Sequence, residues 1–351
     1  MSDSIRFSTE LAPSLPAVWR VADGDRISVD LICEFLASNR PRIEEILNTG
    51  GGVLLRGFEM LRSARDFERA MMELTPDLRD YVGGTSPREV VEGKIMTATY
   101  VPPAWSIPLH QEMTYTENPP DRIAFFCEQP ATLGGGYSTV GDMRIALAKI
   151  DPAIRTKFDR YGLQLRRILP SEQTLHLKPG VQKPWSEVFG TEDPATVESI
   201  VNAKGWKAEW LNQNTLQLCQ DIVPAVSSHP VSGDSVWRNQ VHVFHPACMM
   251  LWAKEDGRLE DHDAIAKAYV SNRDILDNVF YGNGEAVAED DALEVYSVLR
   301  DLAHPIQLEK YDLLLLDNFI FAHGRTSFEG ERRVLVALAD EWPENVAHSG
   351  V

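Results

Sequence analysis

The chain has 351 residues, 44% of them apolar and 25% charged, an ordinary mixture for a soluble protein with a real core and one that fits either one large domain or two. A formal net charge of −18 argues against nucleic acid or an anionic membrane as partner, because both would repel it. Cys33, Cys127, Cys219 and Cys248 show neither a Cys-x-x-Cys pair nor zinc spacing, no basic-then-apolar leader is visible, and no apolar run would span a bilayer, so free thiols in a reducing cytoplasm are expected.

In chain order, Ser28 is placed to cap a helix reaching Asn39, with Leu31, Ile32, Phe35 and Leu36 on one side. Pro41 is expected to interrupt it before a second helix over 42–47, which ends at Gly50-Gly51-Gly52. Residues 53–58 read as a buried strand. Ser63 caps the next helix, on which Phe67, Ala70, Met71 and Leu74 recur at helical spacing until Pro76 stops it. From Tyr81 onward short strands alternate with Gly/Pro turns: a loop over 83–88, strands over 94–100 and 123–127, and the glycine run 134–136. Helices over 142–149 and 152–161 precede a strand at 163–168. Residues 170–290 mix short strands (206–210, 215–218, 235–238) with irregular polar sequence, a helix follows at about 290–302, and strands at 312–316 and 332–338 close the pattern. The many short strands suggest a sandwich or barrel, and no linker or repeat divides the chain, so one domain is expected over 1–351.

The stretch Ser-Ile-Pro-Leu-His-Gln-Glu-Met-Thr-Tyr-Thr at 106–116 carries the chemistry. In an extended strand His110 and Glu112 project to the same side, and Leu109 and Gln111 to the other. His323, in Asp-Asn-Phe-Ile-Phe-Ala-His-Gly-Arg, would complete two imidazoles and one carboxylate on one side of a metal, the donor set of non-heme Fe(II) oxygenases. Such a site leaves positions for a chelating 2-oxo acid and O2, and the far carboxylate of that acid calls for an arginine fork. Arg332 and Arg333 open the last strand. Alternation groups Arg333 with Leu335 and Ala337, which makes Arg333 the first choice to point inward and Arg332 the second.

Gly52–Phe58, Gly83–Arg88, Leu109–Tyr115, Pro130–Asp142, Val236–Gln240 and Leu316–Leu338 together resemble, in order, the taurine-catabolism-dioxygenase (TauD/TfdA-like) superfamily of Fe(II)/2-oxoglutarate enzymes. Within it the chain looks closest to the clavaminate-synthase-like branch and the syringomycin-type hydroxylases. The resemblance implies a mainly β fold with flanking helices: a double-stranded β-helix, or distorted jelly roll, with a helical or irregular lid-like insertion around 170–290. It implies iron ligation by His110, Glu112 and His323, and a 2-oxoglutarate carboxylate held by Arg333 with the hydroxyl of Ser138. The expected reaction is hydroxylation of an unactivated C–H of an amino acid, free or tethered to a peptidyl carrier protein, in nonribosomal-peptide, antibiotic-like metabolism. Desaturation or cyclisation is the alternative fate of the same oxidising chemistry. A jelly roll that binds a ligand or carrier without turnover is the non-enzymatic rival.

The chain departs from the family run Gly-Gly-Glu-Thr-Pro, reading Gly135-Gly136-Tyr137-Ser138-Thr139, and Arg238 stands where the family often has Phe. Ser138 keeps the hydroxyl, whereas Tyr137 loses a charge. Gln111, Thr85, Arg88, Arg238 and Asn239 are the expected substrate contacts. Glu112 in the carboxylate position argues against halogenation, which uses a small residue there.

Overall fold

Four successive apolar residues, Leu313 to Leu316, cannot be a half-wet strand; they need cover on both faces. The computed structural model, which describes residues 7–22, 27–81, 88–178 and 183–341, supplies it. Strand Leu313–Asp317 is buried throughout, pairing with Gly52–Arg56 on one side and Arg122–Gln129 on the other. Arg333–Ala339 pairs next to Arg122–Gln129, followed by Ile95–Thr97 and Val90–Glu92. Two N-terminal strands, Phe7–Glu10 and Ala17–Val21, extend the opposite edge.

Alternation splits this large sheet between two cores. Leu55, Phe126, Leu335 and Ala337 pack under the helices Val29–Gly50 and Ala64–Leu74, against Leu36, Phe67 and Met71. Ile123, Leu314, Val334, Val336 and Leu338 face the second sheet, against Val140, Ile320 and Phe321. Each fully buried large side chain contributes roughly 1.5–3 kcal/mol over its exposed state. The second sheet runs His304–Ile306, Ser138–Asp142, Phe321–Arg325, Ile107–His110. The main strands 107–110, 122–129 and 138–142, and again 304–306, 313–317, 321–325 and 333–339, therefore alternate between two facing sheets, as in a jelly roll.

The connection between strands Ser138–Asp142 and His304–Ile306 is the long insertion. Its helices include Pro194–Ala203, Pro246–Glu255 and Leu259–Ser271, and it has an antiparallel sheet in the order Lys207–Leu211, Thr215–Val223, Leu163–Leu169, Asn278–Tyr281. Trp185, Trp206, Leu169 and Leu216 give that sheet its own core. Within 170–290 the helices Pro194–Ala203, Pro246–Glu255 and Leu259–Ser271 give this stretch more regular structure than its polar sequence suggests.

Two helical expectations divide. Ser63 accepts from Asp66 N at 3.2 Å and the helix Ala64–Leu74 buries the four residues expected. Pro41, by contrast, does not break the first helix, which is continuous from Val29 to Gly50. Pro41 and Ala37, whose carbonyl loses its N–H partner, are both exposed, so that carbonyl lies on the solvent side of the helix, where its loss costs least. Cys33, Cys127 and Cys248 are buried free thiols and Cys219 is half-buried. No helix among the described residues is long and apolar enough to cross a membrane.

Candidate metal centre

The strand carrying His110 ends at that residue. Gln111 to Tyr115 form a turn in which Met113 adopts φ 56°, a left-handed conformation uncommon outside glycine. Glu112 is thus aimed by a turn rather than by the strand alternation expected, yet it reaches the same side as His110. Strand Phe321–Arg325 lies alongside, with His323 opposite His110 in register. The ring centroids are 4.4 Å apart, and one donor atom from each of His110, Glu112 and His323 lies within 4.8 Å of the others. Gly324 allows this close pairing, since a Cβ there would stand 2.4 Å from Ile107 O.

The donor set fits a divalent metal. Nδ1 of His110 donates to Pro108 O at 3.0 Å, which leaves Nε2 with its lone pair. His323 Nε2 is 3.7 Å from Glu112 Oε2, and cis donors about 2.1 Å from a cation sit about 3 Å apart, so small side-chain shifts close the set. Burial pushes His110 below the ordinary imidazole range and His323 well below it, the latter aided by His110 and Arg88. Both rings are therefore held neutral, the form that binds metal.

The turn 317–320 holds the Glu112 segment from behind. Asn318 Oδ1 accepts from Glu112 N at 2.7 Å, and its Nδ2 donates to Glu112 O and Pro120 O. Asp317 Oδ1 accepts from Phe319 N and Ile320 N, while Arg122 and His229 reach its other oxygen. From the insertion, Gln240 Nε2 donates to Gln111 O at 2.6 Å and His242 Nε2 to Leu109 O. The sequence reading assigned nothing to Asn318, Gln240 or His242. Their work is done on backbone atoms, for which side-chain chemistry in a sequence leaves no pattern; the adjacency of Asp317-Asn318 to the His323 strand was the available hint.

Arg88, His110, Phe125, Ser138, His323 and Arg332 surround a cavity of about 40 Å³, which shares Arg88, Arg325 and Arg332 with an open cleft of about 960 Å³. The arginine choice is corrected. Arg332 is the one that lies inside, its Nε donating to Gly136 O at 3.1 Å and its Nη2 3.5 Å from Ser138 Oγ. Arg333 is 57% exposed and paired with Glu128 at 2.6 Å. The grouping of Arg333 with Leu335 and Ala337 was right, but that face belongs to the helix-covered core, and a register irregularity at Arg333/Val334 leads the strand out of it. Arg332 shares the face of Val334 and Val336, which looks between the sheets.

Of the expected substrate contacts, only Arg88 lines this cavity. Gln111 is buried and donates to Phe319 O at 2.6 Å. Asn239 is used up on Ala225 O and Val241 N. Arg238 is buried with its guanidinium 3.6 Å over the Phe319 ring, and burial lowers its pKa to about 9. All three turn toward the backing of the site because their carrier segments face the core there. Thr85 lies outside the described residues. Arg325, unassigned by the sequence reading, donates to Trp105 O at 2.6 Å and Pro102 O at 3.2 Å; it ties the loop before the His110 strand to the strand of His323.

A facing pair of sheets, with a two-imidazole, one-carboxylate cluster and an inward arginine–serine pair, defines the class of the iron- and 2-oxo-acid-dependent oxygenases. The sequence comparison agrees. Residues 10–338 match the model of the taurine catabolism dioxygenase TauD, TfdA family, and the chain belongs to that family. It is 29% identical over 301 residues to the dapdiamide synthesis protein DdaC of Enterobacter agglomerans, covering 85% of this chain and 84% of that one. It is 26% identical over 314 residues to a clavaminate synthase-like protein of Arabidopsis thaliana, covering 89% and 88%. Among solved structures, PvcB of Pseudomonas aeruginosa superposes with a TM-score of 0.53 at 15% identity, over 99% of this chain and 95% of that one. The cofactor is Fe(II), with 2-oxoglutarate and O2 as cosubstrates.

Proposed function

We propose that the protein hydroxylates an unactivated C–H of an amino acid, free or tethered to a peptidyl carrier protein, in a specialised biosynthetic pathway. The observation that carries the reading is the convergence of His110, Glu112 and His323, with both imidazoles lining a cavity whose other wall is Arg332 and Ser138. In support, the relative from Enterobacter is named for dapdiamide synthesis, and an asparagine oxygenase with Fe(II), 3-hydroxyasparagine and succinate bound has a related fold, at a TM-score of 0.50 and 12% identity over 89% of this chain and 83% of that one.

His110, Glu112 and His323 would hold the iron, which when bound would supply O2 activation coupled to oxidative decarboxylation of 2-oxoglutarate to succinate. The protein's own part is positioning. His110, Glu112 and His323 present one donor atom each, all within 4.8 Å of one another. Arg332, its guanidinium without a carboxylate partner among the described residues, takes the distal carboxylate of 2-oxoglutarate with the Ser138 hydroxyl. Phe125, 4.9 Å from the His323 ring, and Val334 exclude water on the large-sheet side. In this reading the whole chain works as one unit in the cytoplasm, and the segment around 170–290 covers the cleft.

Anaerobic addition of Fe(II) and 2-oxoglutarate tests it. A weak visible charge-transfer band is expected, abolished in His110→Ala. Succinate release on adding free or carrier-loaded amino acids then sorts substrates; a wild-type protein with no band ends the proposal.

A further inference from the structure

The site holds more positive charge than its assigned ligands neutralise. Three buried or largely buried guanidiniums, Arg88, Arg325 and Arg332, border the cavity, and among the described residues no acidic side chain lines it; the Glu112 carboxylate bonds Arg88 from beside it. Arg325 is occupied with backbone carbonyls, and Arg332 with Ser138 is set for the distal carboxylate of 2-oxoglutarate. Arg88 is left. Its side chain is only 3% exposed, its Nη2 lies 2.7 Å from Glu112 Oε2, and its carbon centre sits 4.7 Å over the Tyr81 ring. Its Nε and Nη1 are buried and have no hydrogen-bond partner among the described residues.

Two buried guanidinium N–H edges without acceptors are costly. Among the described residues, the only acidic side chain paired with Arg88 is also a donor of the triad. A carboxylate shared with a divalent cation has little charge left for a second partner, so in the assembled centre Arg88 lacks a counter-anion. Arg88 borders both the 40 Å³ cavity and the 960 Å³ cleft, so an anion can reach it from the open side.

We propose that Arg88 is the receptor for a free carboxylate of the substrate, received through the planar fork of its unpartnered nitrogens. The inference rests on the oxygenase reading of the triad and deepens it: the substrate is an acid. Arg332 and Arg88 then stand as two anion receptors flanking one metal, the first for the cosubstrate and the second for the molecule to be oxidised.

The test uses full-length protein loaded anaerobically with Fe(II) and 2-oxoglutarate, titrated with each of the twenty common L-amino acids and with their α-carboxamides. Binding is read as a shift of the charge-transfer band, independently of turnover. At least one acid is expected to bind about 100-fold more tightly than its neutral amide, as a buried charge pair implies. Amidation of the α-carboxylate against amidation of a side-chain carboxylate tells which group docks. Arg88→Gln, which also removes the 2.7 Å contact to Glu112, is read at Fe(II) and 2-oxoglutarate concentrations that saturate its own band, and is expected there to lose the acid-over-amide preference; a residue that only steadied Glu112 would change the metal affinity and leave the preference. Equal binding of acid and amide, a preference retained in Arg88→Gln, or a band that no acid shifts would each overturn the proposal. The acid–amide comparison stands on the wild type even if the variant fails to fold. A wild type that forms no band at all is instead the failure of the oxygenase reading beneath it.

Discussion

The paired sheets and the insertion treat the metal centre in opposite ways. Every triad residue, together with Ser138 and Arg332, comes from sheet strands or the tight turns joining them. The insertion contributes none of these; Gln240 and His242 donate to carbonyls behind the ligand strand, Gln240 also to the Thr114 hydroxyl, and His229 bonds the Asp317 carboxylate. The paired sheets thus carry the candidate ligands, and the insertion braces them from the rear. Sites on strands keep their geometry more closely than sites on loops. An insertion that grips main-chain atoms can change its surface without altering the donors.

The comparison can be broken at graded strengths. Replacing His110 or His323 by Ala should remove metal binding and turnover altogether, read as loss of the charge-transfer band and of succinate release. Arg332→Gln should weaken 2-oxoglutarate binding about 100-fold, the scale for a buried pair losing one charge, while Arg333→Gln stays within about threefold; equal effects in titrations of the band would put the wrong arginine in the site. Gln240→Ala, from the insertion, and Asn318→Ala, from the sheet, should each lower metal affinity about 10- to 100-fold, as outer partners of ligands do. If Gln240→Ala leaves affinity unchanged, the insertion is no brace.

The smallest effect is one of pH. Burial, with Arg122 adding to it, lowers His229 to about 4, and burial lowers His242 to about 4. An imidazole whose folded pKa lies below its unfolded value binds more protons when unfolded. Stability is therefore full above the ordinary histidine range near 6.5 and declines as pH falls from there toward 4, levelling below. The loss should be on the order of 3 kcal/mol per ring at most, measured by urea midpoints across that window.

Much of this was legible in the sequence because the physics involved is local. Ser63, Phe67 and Met71 announce a helix through capping and spacing, and Leu313–Leu316 a doubly covered strand. His110 and Glu112 were found by side-chain chemistry, although a turn, not strand alternation, brings them together. Arg332 shows the limit: alternation sorts residues into two sets but cannot say which set faces the cavity, because both sides of that strand are buried. Pro41 shows another, since whether a proline breaks a helix depends on whether the freed carbonyl meets water. The helix Pro194–Ala203 begins with Asp193-Pro194, the same grammar that marks Asp151-Pro152, so that signal was present and unread. Gln111, Arg238 and Asn239 turned inward to the backing because polarity in a sequence does not distinguish a solvated side chain from one bonded to a buried carbonyl.

Since His110 and Glu112 precede the insertion and His323 follows it, whatever cation the three residues take up also fastens an early stretch of chain to a late one. Loading would act as a reversible staple across the whole sandwich, drawing its strength from mass action rather than from a covalent bond. Melting temperature should then climb with free metal concentration, and chelation would loosen the architecture as well as silence the chemistry.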